Sequence, residues 1–412
     1  MNAIAYKWIK ITILSLLMVS FLGLIMRYKI CFEFSLLDQK KIQHSHSHFA
    51  FAGWVSQALM FLLVYVLNKK IVQKNIFKKY SVLLWLNLFL AYAMLISFII
   101  YGYNLISIFF STSSLIVSYA FSYQYFKDIK ENNLTELVIK WFKASLIFNV
   151  ISSFGTYYLA YMMITKNFNQ DLYLASVYYY LHFQYNGWFL MACLGLFYYF
   201  FKIEESKITI WFQKITIWVC IPTYILSLLW FEIPIFIYII TVASILVQTT
   251  FWFLFYFKTK NKIFIENLLL RNIFSFITFS LSLKFILQLL SVIPALSKFA
   301  FGSRAVIIAY LHLVLLAIIS LFLLFVFFNF FKIKYNKRAL TSFKFFCIGV
   351  FFNEFVLALQ GLASVKYISI PFVNEILLFI AIVLFISITL MIVFFNKKNT
   401  IYDSAHKIES YN

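Results

Sequence analysis

Residues 43 to 54 read QHSHSHFAFAGW and place His44, His46 and His48, half of the six histidines in the chain, at alternate positions just ahead of a long apolar run. A neutral imidazole offers a nitrogen lone pair to iron or another metal without adding charge, and in hydrocarbon it is costly unless its nitrogens are satisfied. Residues two apart on a helix diverge by about 200°, so His46 and His48 can serve two different sites, whereas His44 and His48, one turn apart, share a face. Ala50, Ala52 and Gly53 beside them are small enough to let a flat macrocycle approach the backbone. His182 opens HFQYNGW as His48 opens HFAFAGW, and a weaker copy, HLVLLAI, starts at His312. The pattern thus recurs roughly every 130 residues, the mark of an internal repeat. His44, the most exposed of the cluster, is expected to be an interfacial histidine and His406 a solvated one.

Composition settles the class of element that must carry these histidines. With 64% hydrophobic and only 12% charged residues, 412 residues are too apolar for a soluble domain. Runs long enough to cross roughly 30 Å of hydrocarbon as helix fall near 8–26, 46–68, 80–101, 105–126, 141–165, 174–201, 208–229, 234–257, 268–293, 304–331, 340–362 and 372–395. The net charge of +21 is spread over short loops rather than gathered on one water-facing surface, which argues against nucleic acid as a partner. It sorts by side instead: Lys69, Lys70, Lys74, Lys78 and Lys79, then Lys127, Lys130, Lys140 and Lys143, then Lys332, Lys334, Lys337 and Arg338 fall on one side of the bilayer. Roughly 25 Lys and Arg lie there against about 8 opposite, which predicts both termini in the cytoplasm of a multi-pass inner (plasma) membrane protein. The first span has no small-residue cleavage site and is expected to be retained. Cys31, Cys193, Cys220 and Cys347 show no CxxC spacing, so neither a disulfide framework nor covalently attached haem is written here. No loop exceeds about fifteen residues, and 396–412 reads as a polar tail.

The three histidine motifs fall on the second, sixth and tenth spans. The sequence therefore predicts an all-α integral membrane protein of twelve transmembrane helices, built as three four-helix repeats (about 1–133, 134–262 and 263–395) with pseudo-threefold symmetry about the membrane normal. On these residues the chain resembles the haem-copper oxidase subunit I superfamily. The nearest local likeness is to the nitric oxide reductase branch and to NnrS-type proteins: His46-Ser47-His48 with FAFAGW is similar to their His-x-His haem motif, and YLHFQYNG around His182 to their metal-ligand stretch. The resemblance implies a respiratory oxidoreductase or electron-transfer protein. It would carry non-covalent b-type haem on His46, His48, His182 and His312, copper or non-haem iron at His182, and an electron donor or small partner subunit. The chain departs from the family in having no histidine pair over 208–229, Asn186 where the reductase branch has a carboxylate, and Tyr310 rather than histidine before His312. Haem binding follows from the match; a complete two-metal centre does not.

Two charges lie within predicted spans. Lys284 and Glu354 are expected at a similar depth, where charges are usually paired, with Glu354 a candidate proton relay and snorkelling the alternative for Lys284. Trp54 and Trp188 are candidates to line a macrocycle edge, against interfacial packing. A twelve-span transporter with the HSHSH stretch as an outward metal-capture site is the competing reading, since transporters also contain repeats. Nine Gly and four Pro give it little help, because only Pro222 lies well inside a span. The repeat further predicts that His48, His182 and His312 sit at matching depth and face the interior of the bundle.

Overall fold

The computed structural model describes residues 3–70, 75–131, 133–331, 333, 336–365 and 368–395. The polar tail 396–412 with His406, and the basic residues Lys74, Lys332 and Lys334, lie outside the described residues.

All regular structure among the described residues is helical, as a chain immersed in hydrocarbon requires when its backbone groups have no water to bond. Ten helices are long and apolar enough to cross a bilayer: Ala3–Cys31, Gln39–Lys69, Ile76–Tyr101, Leu105–Asp128, Glu136–Thr165, Ile235–Lys262, Leu268–Leu290, Arg304–Phe330, Lys337–Ser364 and Val373–Phe394. An eleventh candidate is the pair Lys207–Val219 and Pro222–Leu228, bent by 48° where Pro222 interrupts the α-helical ladder. The stretch 170–200 is also continuous helix, but Gln184, Tyr185 and Asn186 lower its hydropathy and it falls outside that set. Ten of the twelve stretches read from the sequence as spans fall on these apolar helices and 208–229 on the bent pair, while 174–201 falls on the helix outside the set.

Burial divides the helices into an inner and an outer group. In the helices that carry His48 and His312, 78% of the most apolar window is buried, against 33% in Ala3–Cys31 and 22% in Leu105–Asp128. Residues 182–198 of the His182 helix are buried without interruption. These three helices meet at the centre, and the others surround them with faces left to lipid. Two tryptophan hydrogen bonds join the inner helices: Trp54 Nε1 donates to Ser320 Oγ at 2.8 Å and Trp188 Nε1 to Ser56 Oγ at 3.2 Å. Each tryptophan lies six residues past its histidine, and each acceptor serine eight residues past another. Between the His312 and His182 helices the same two positions hold Ile318 and Leu190, both buried. Trp54 and Trp188 thus fasten helix to helix, buried to about 1% exposure, in place of an interfacial role. Gly187 of the shared motif is required by close approach, since a Cβ there would fall 2.5 Å from Phe148 Cβ.

At the end of the bundle where Leu105–Asp128 closes, buried Asp128 accepts from Lys79 Nζ at 2.6 Å, Tyr80 Oη at 2.9 Å and Gln124 Nε2 at 3.2 Å. Nearby loops are joined by Lys262 and Glu204 at 2.5 Å, and the Lys262 hydrogen bond and charge hold the exposed Glu204 carboxyl below its ordinary value. Lys79 keeps contact with water and Asp128 does not, so the two ends of their pair differ in worth. Asp128→Ala, which orphans three donors, should cost about 3 kcal/mol, and Lys79→Ala less than about 1 kcal/mol, in thermal unfolding of the purified protein in one detergent.

Candidate functional site

His46 and His48 sit on one helix and diverge. His46 Nδ1 meets the backbone carbonyl of Val19 at 3.1 Å, on the helix Ala3–Cys31. A carbonyl only accepts, so Nδ1 carries the proton and Nε2 keeps its lone pair. His312 repeats this arrangement, its Nδ1 2.9 Å from the carbonyl of Ile308 one turn back along its own helix. No described residue hydrogen-bonds Nε2 of either ring. The two imidazoles are close enough to interact electrostatically, and Arg27, half-buried on Ala3–Cys31, acts on His312 in the same way. A backbone carbonyl fixing Nδ1–H while Nε2 stays free is the support that metal-ligating histidines generally receive.

His48 faces elsewhere. Its ring lies flat on Phe98, with centroids 4.4 Å apart and planes 8° apart, and its Nε2 is 3.1 Å from Tyr103 Oη. His44 also packs on Tyr103, at 4.6 Å between centroids. His44 and His48 therefore share a face, as their spacing predicts, but it is turned toward Phe98 and Tyr103. The expectation that His48 aligns with His182 and His312 toward the middle of the bundle does not hold: two residues along the helix, His46 takes the side that neighbours His312.

His182 is 1% exposed and has both nitrogens engaged. Nε2 donates to the backbone carbonyl of Cys220 at 2.8 Å, which leaves Nδ1 to accept from Asn186 Nδ2 at 3.1 Å. Pro222 creates this contact. Beyond it the chain runs as 3-10 helix, with Tyr224 N bonding Ile221 O at 3.2 Å, so the Cys220 carbonyl is released from the α-helical ladder and turns to His182. A metal held by His182 would have to displace one of these bonds. Among the described residues no three His, Cys, Asp or Glu side chains converge as a metal-binding group.

Each motif histidine is followed by a stretch of π-helix: Ala50–Ser56 after His48, Phe183–Phe189 after His182 and Leu313–Ser320 after His312. Such segments are rare and cluster at functional sites. Nothing in the hydropathy pattern announces them, because the apolar run continues through each. Arg27 also escapes a reading of motifs. The sequence shows it only as a guanidinium just beyond the first apolar run, on what the structure extends as one helix to Cys31.

The ion pair expected between Lys284 and Glu354 is not formed. Glu354 accepts from its neighbour Asn353 at 3.1 Å, while Lys284 lies against the ring of Phe285 and acts electrostatically on Cys220 and His182. The direction each residue takes around its helix was not legible in the sequence. No family model matches this chain, and no curated protein matches it. Because Glu354→Gln leaves no cation unpaired, its unfolding temperature should stay within a few degrees of the wild type, in contrast to the several kcal/mol that breaking a buried pair would cost. A larger fall would mean that Glu354 compensates a charge elsewhere.

Proposed function

We propose that the chain is a haem-binding membrane protein of the respiratory oxidase or nitric oxide reductase type, in which His46 and His312 would hold a non-covalent b-type haem. The observation that carries this reading is the matched state of the two rings, each with Nδ1–H on a backbone carbonyl and Nε2 unpartnered among the described residues, within electrostatic reach of one another. The donor set fits: two neutral imidazoles, each with Nε2 free, would hold a haem in the low-spin state without a third protein ligand. Bound there, it would supply one-electron transfer. The protein's part is to fix both imidazoles in the Nε2-ligating tautomer, through Val19 and Ile308, with the positive charge of Arg27 within electrostatic reach of His312. His48, pinned by Phe98 and Tyr103, supports the same helix mouth. His182, with both nitrogens bonded, positions the neighbouring broken helix, and copper or non-haem iron there is not part of this reading. O2 or NO chemistry would need a site beyond this pair, and an electron donor or small subunit to feed it.

The same proposal takes the fold as twelve spans in three four-helix repeats, in the inner (plasma) membrane, with both termini cytoplasmic. It is supported by the three π-helical segments after equivalent histidines and by the tryptophan to serine bonds at equivalent offsets. Counting 170–200 and the bent pair with the ten apolar helices gives the twelve. The transporter reading draws on one observation, the helix broken at Pro222. Its metal-capture motif is disfavoured, because the side chains of His44 and His48 turn to Tyr103 and that of His46 to Val19.

Visible spectra of the purified protein, oxidised and dithionite-reduced, test the assignment. His46→Ala and His312→Ala should each abolish or convert a low-spin signal, while His48→Ala and His44→Ala leave it in place. A colourless preparation from haem-replete cells, or an unchanged spectrum in both His46→Ala and His312→Ala, sinks it.

A further inference from the structure

The 48° bend at Pro222 opens a cleft in the side of the bundle. The bent segment Pro222–Leu228 and the helices Glu136–Thr165, Gln170–His182 and Ile235–Lys262 bound a cavity of about 460 Å³. No side chain that lines it carries a charge, and the rings of Phe154, Tyr179, Phe183 and Tyr224 all face it. Two of its hydroxyls are spent on the protein: Thr241 Oγ1 donates to the carbonyl of Ile237 at 2.8 Å and Tyr224 Oη to that of Ala175 at 2.9 Å. The rim residues Phe154, Ile221 and Ile240 are each more than half exposed, on the surface that meets lipid, whereas Phe183 and Thr241 at the back are 3% and 1% exposed. The cleft is therefore continuous with the lipid-facing surface and reaches inward from it.

Depth identifies the occupant. Thr241 lies six residues past Ile235, Tyr179 nine past Gln170 and Phe154 eleven before Thr165, and these helix ends share the face of the bundle that carries the loops 166–169 and 229–234. At 1.5 Å per residue the cleft spans roughly 9 to 17 Å below that face, the depth of lipid chains rather than headgroups. A charged headgroup would also find no countercharge on these walls. We infer that the cleft is a binding site for one acyl chain of a bilayer lipid, taken from the leaflet beside those loops. Inside hydrocarbon such binding rests on dispersion, and a chain enclosed by four helical segments touches more protein than one lying on the outer surface. The bound chain backs Tyr179 and Phe183, whose rings lie 5.1 Å from Tyr224 and 5.0 Å from His182, and so supports the joint at which His182 holds the carbonyl of Cys220. The inference is independent of the haem assignment, since it uses neither His46 nor His312.

The probe is phosphatidylcholine with a diazirine at the middle of one acyl chain, mixed into dioleoyl phosphatidylcholine vesicles that contain the full chain. Light expels dinitrogen from the diazirine and leaves a carbene that inserts into a neighbouring C–H or O–H bond, and mass spectrometry of peptides locates the adducts. Lipid on the outer surface reaches exposed residues such as Phe154 and Ile239, but not Phe183 or Thr241. The wild type should carry adducts on Phe183 or Thr241 in addition to those on the surface. Ile240→Trp and Ile151→Trp, which fill the cleft from opposite walls, should lose the inner adducts and keep the outer ones. Ile239→Trp, one residue away and outside the lining, should keep both. Wild-type adducts confined to exposed residues overturn the inference, as do inner adducts that survive both cleft variants or vanish equally in Ile239→Trp. If neither cleft variant folds, the wild-type pattern of adducts decides by itself.

Discussion

A peptide carbonyl inside hydrocarbon has no water to bond, so each carbonyl that leaves the α-helical ladder must be met by some other donor. In this protein those donors are side chains, and they are the ones that define the site. Pro222 breaks one helix, and His182 meets the freed carbonyl of Cys220. In the π-helical stretch after His48, Asn87 donates to the carbonyl of Ala52 at 3.2 Å and to Gln57 Oε1 at 2.7 Å. In the stretch after His312, Ser320 Oγ returns to the carbonyl of Leu315 at 2.7 Å while accepting from Trp54. Val19 and Ile308 supply the carbonyls that orient His46 and His312.

One consequence is a division of labour among residues of one type. His182 spends both nitrogens on the protein and becomes a strut. His46 and His312 spend one each on a carbonyl and keep the other, the state a ligand requires. His48 lies against an aromatic face and a phenol, where stacking fixes its plane. The partners available where each ring arrives, more than the motif around it, decide which role each can play.

Charge obeys the same accounting. Asp128 is buried and has three donors around it, one of them the cationic Lys79, so it is a structural anchor that closes one end of the bundle. Lys284 is buried and has no hydrogen-bond acceptor or ion-pair partner among the described residues, while half-buried Glu354 turns to Asn353. Low dielectric magnifies both situations: a compensated charge locks its neighbours, and an uncompensated one is costly.

What the sequence determined by itself follows from quantities that add along the chain. Apolar runs, their lengths and the basic residues between them mark where helices cross, because the cost of leaving backbone or charge in hydrocarbon is paid locally. The placing of His48, His182 and His312 in related segments was legible from the motif, and the divergence of His46 from His48 from the 100° step of the helix. The pairing of those groups was not legible. Which face of the second helix meets His312, whether Lys284 finds Glu354, and where the ladder widens to π or breaks depend on the rotation of each helix about its axis. That rotation is set by contacts between residues far apart in sequence, such as Trp54 on Ser320 and Gly187 under Phe148. Hydropathy is nearly blind to a rotation that exchanges one apolar face for another, whereas packing and hydrogen bonding are not, and so the tertiary structure alone shows that His46 turns to Val19 while His48 turns to Phe98 and Tyr103.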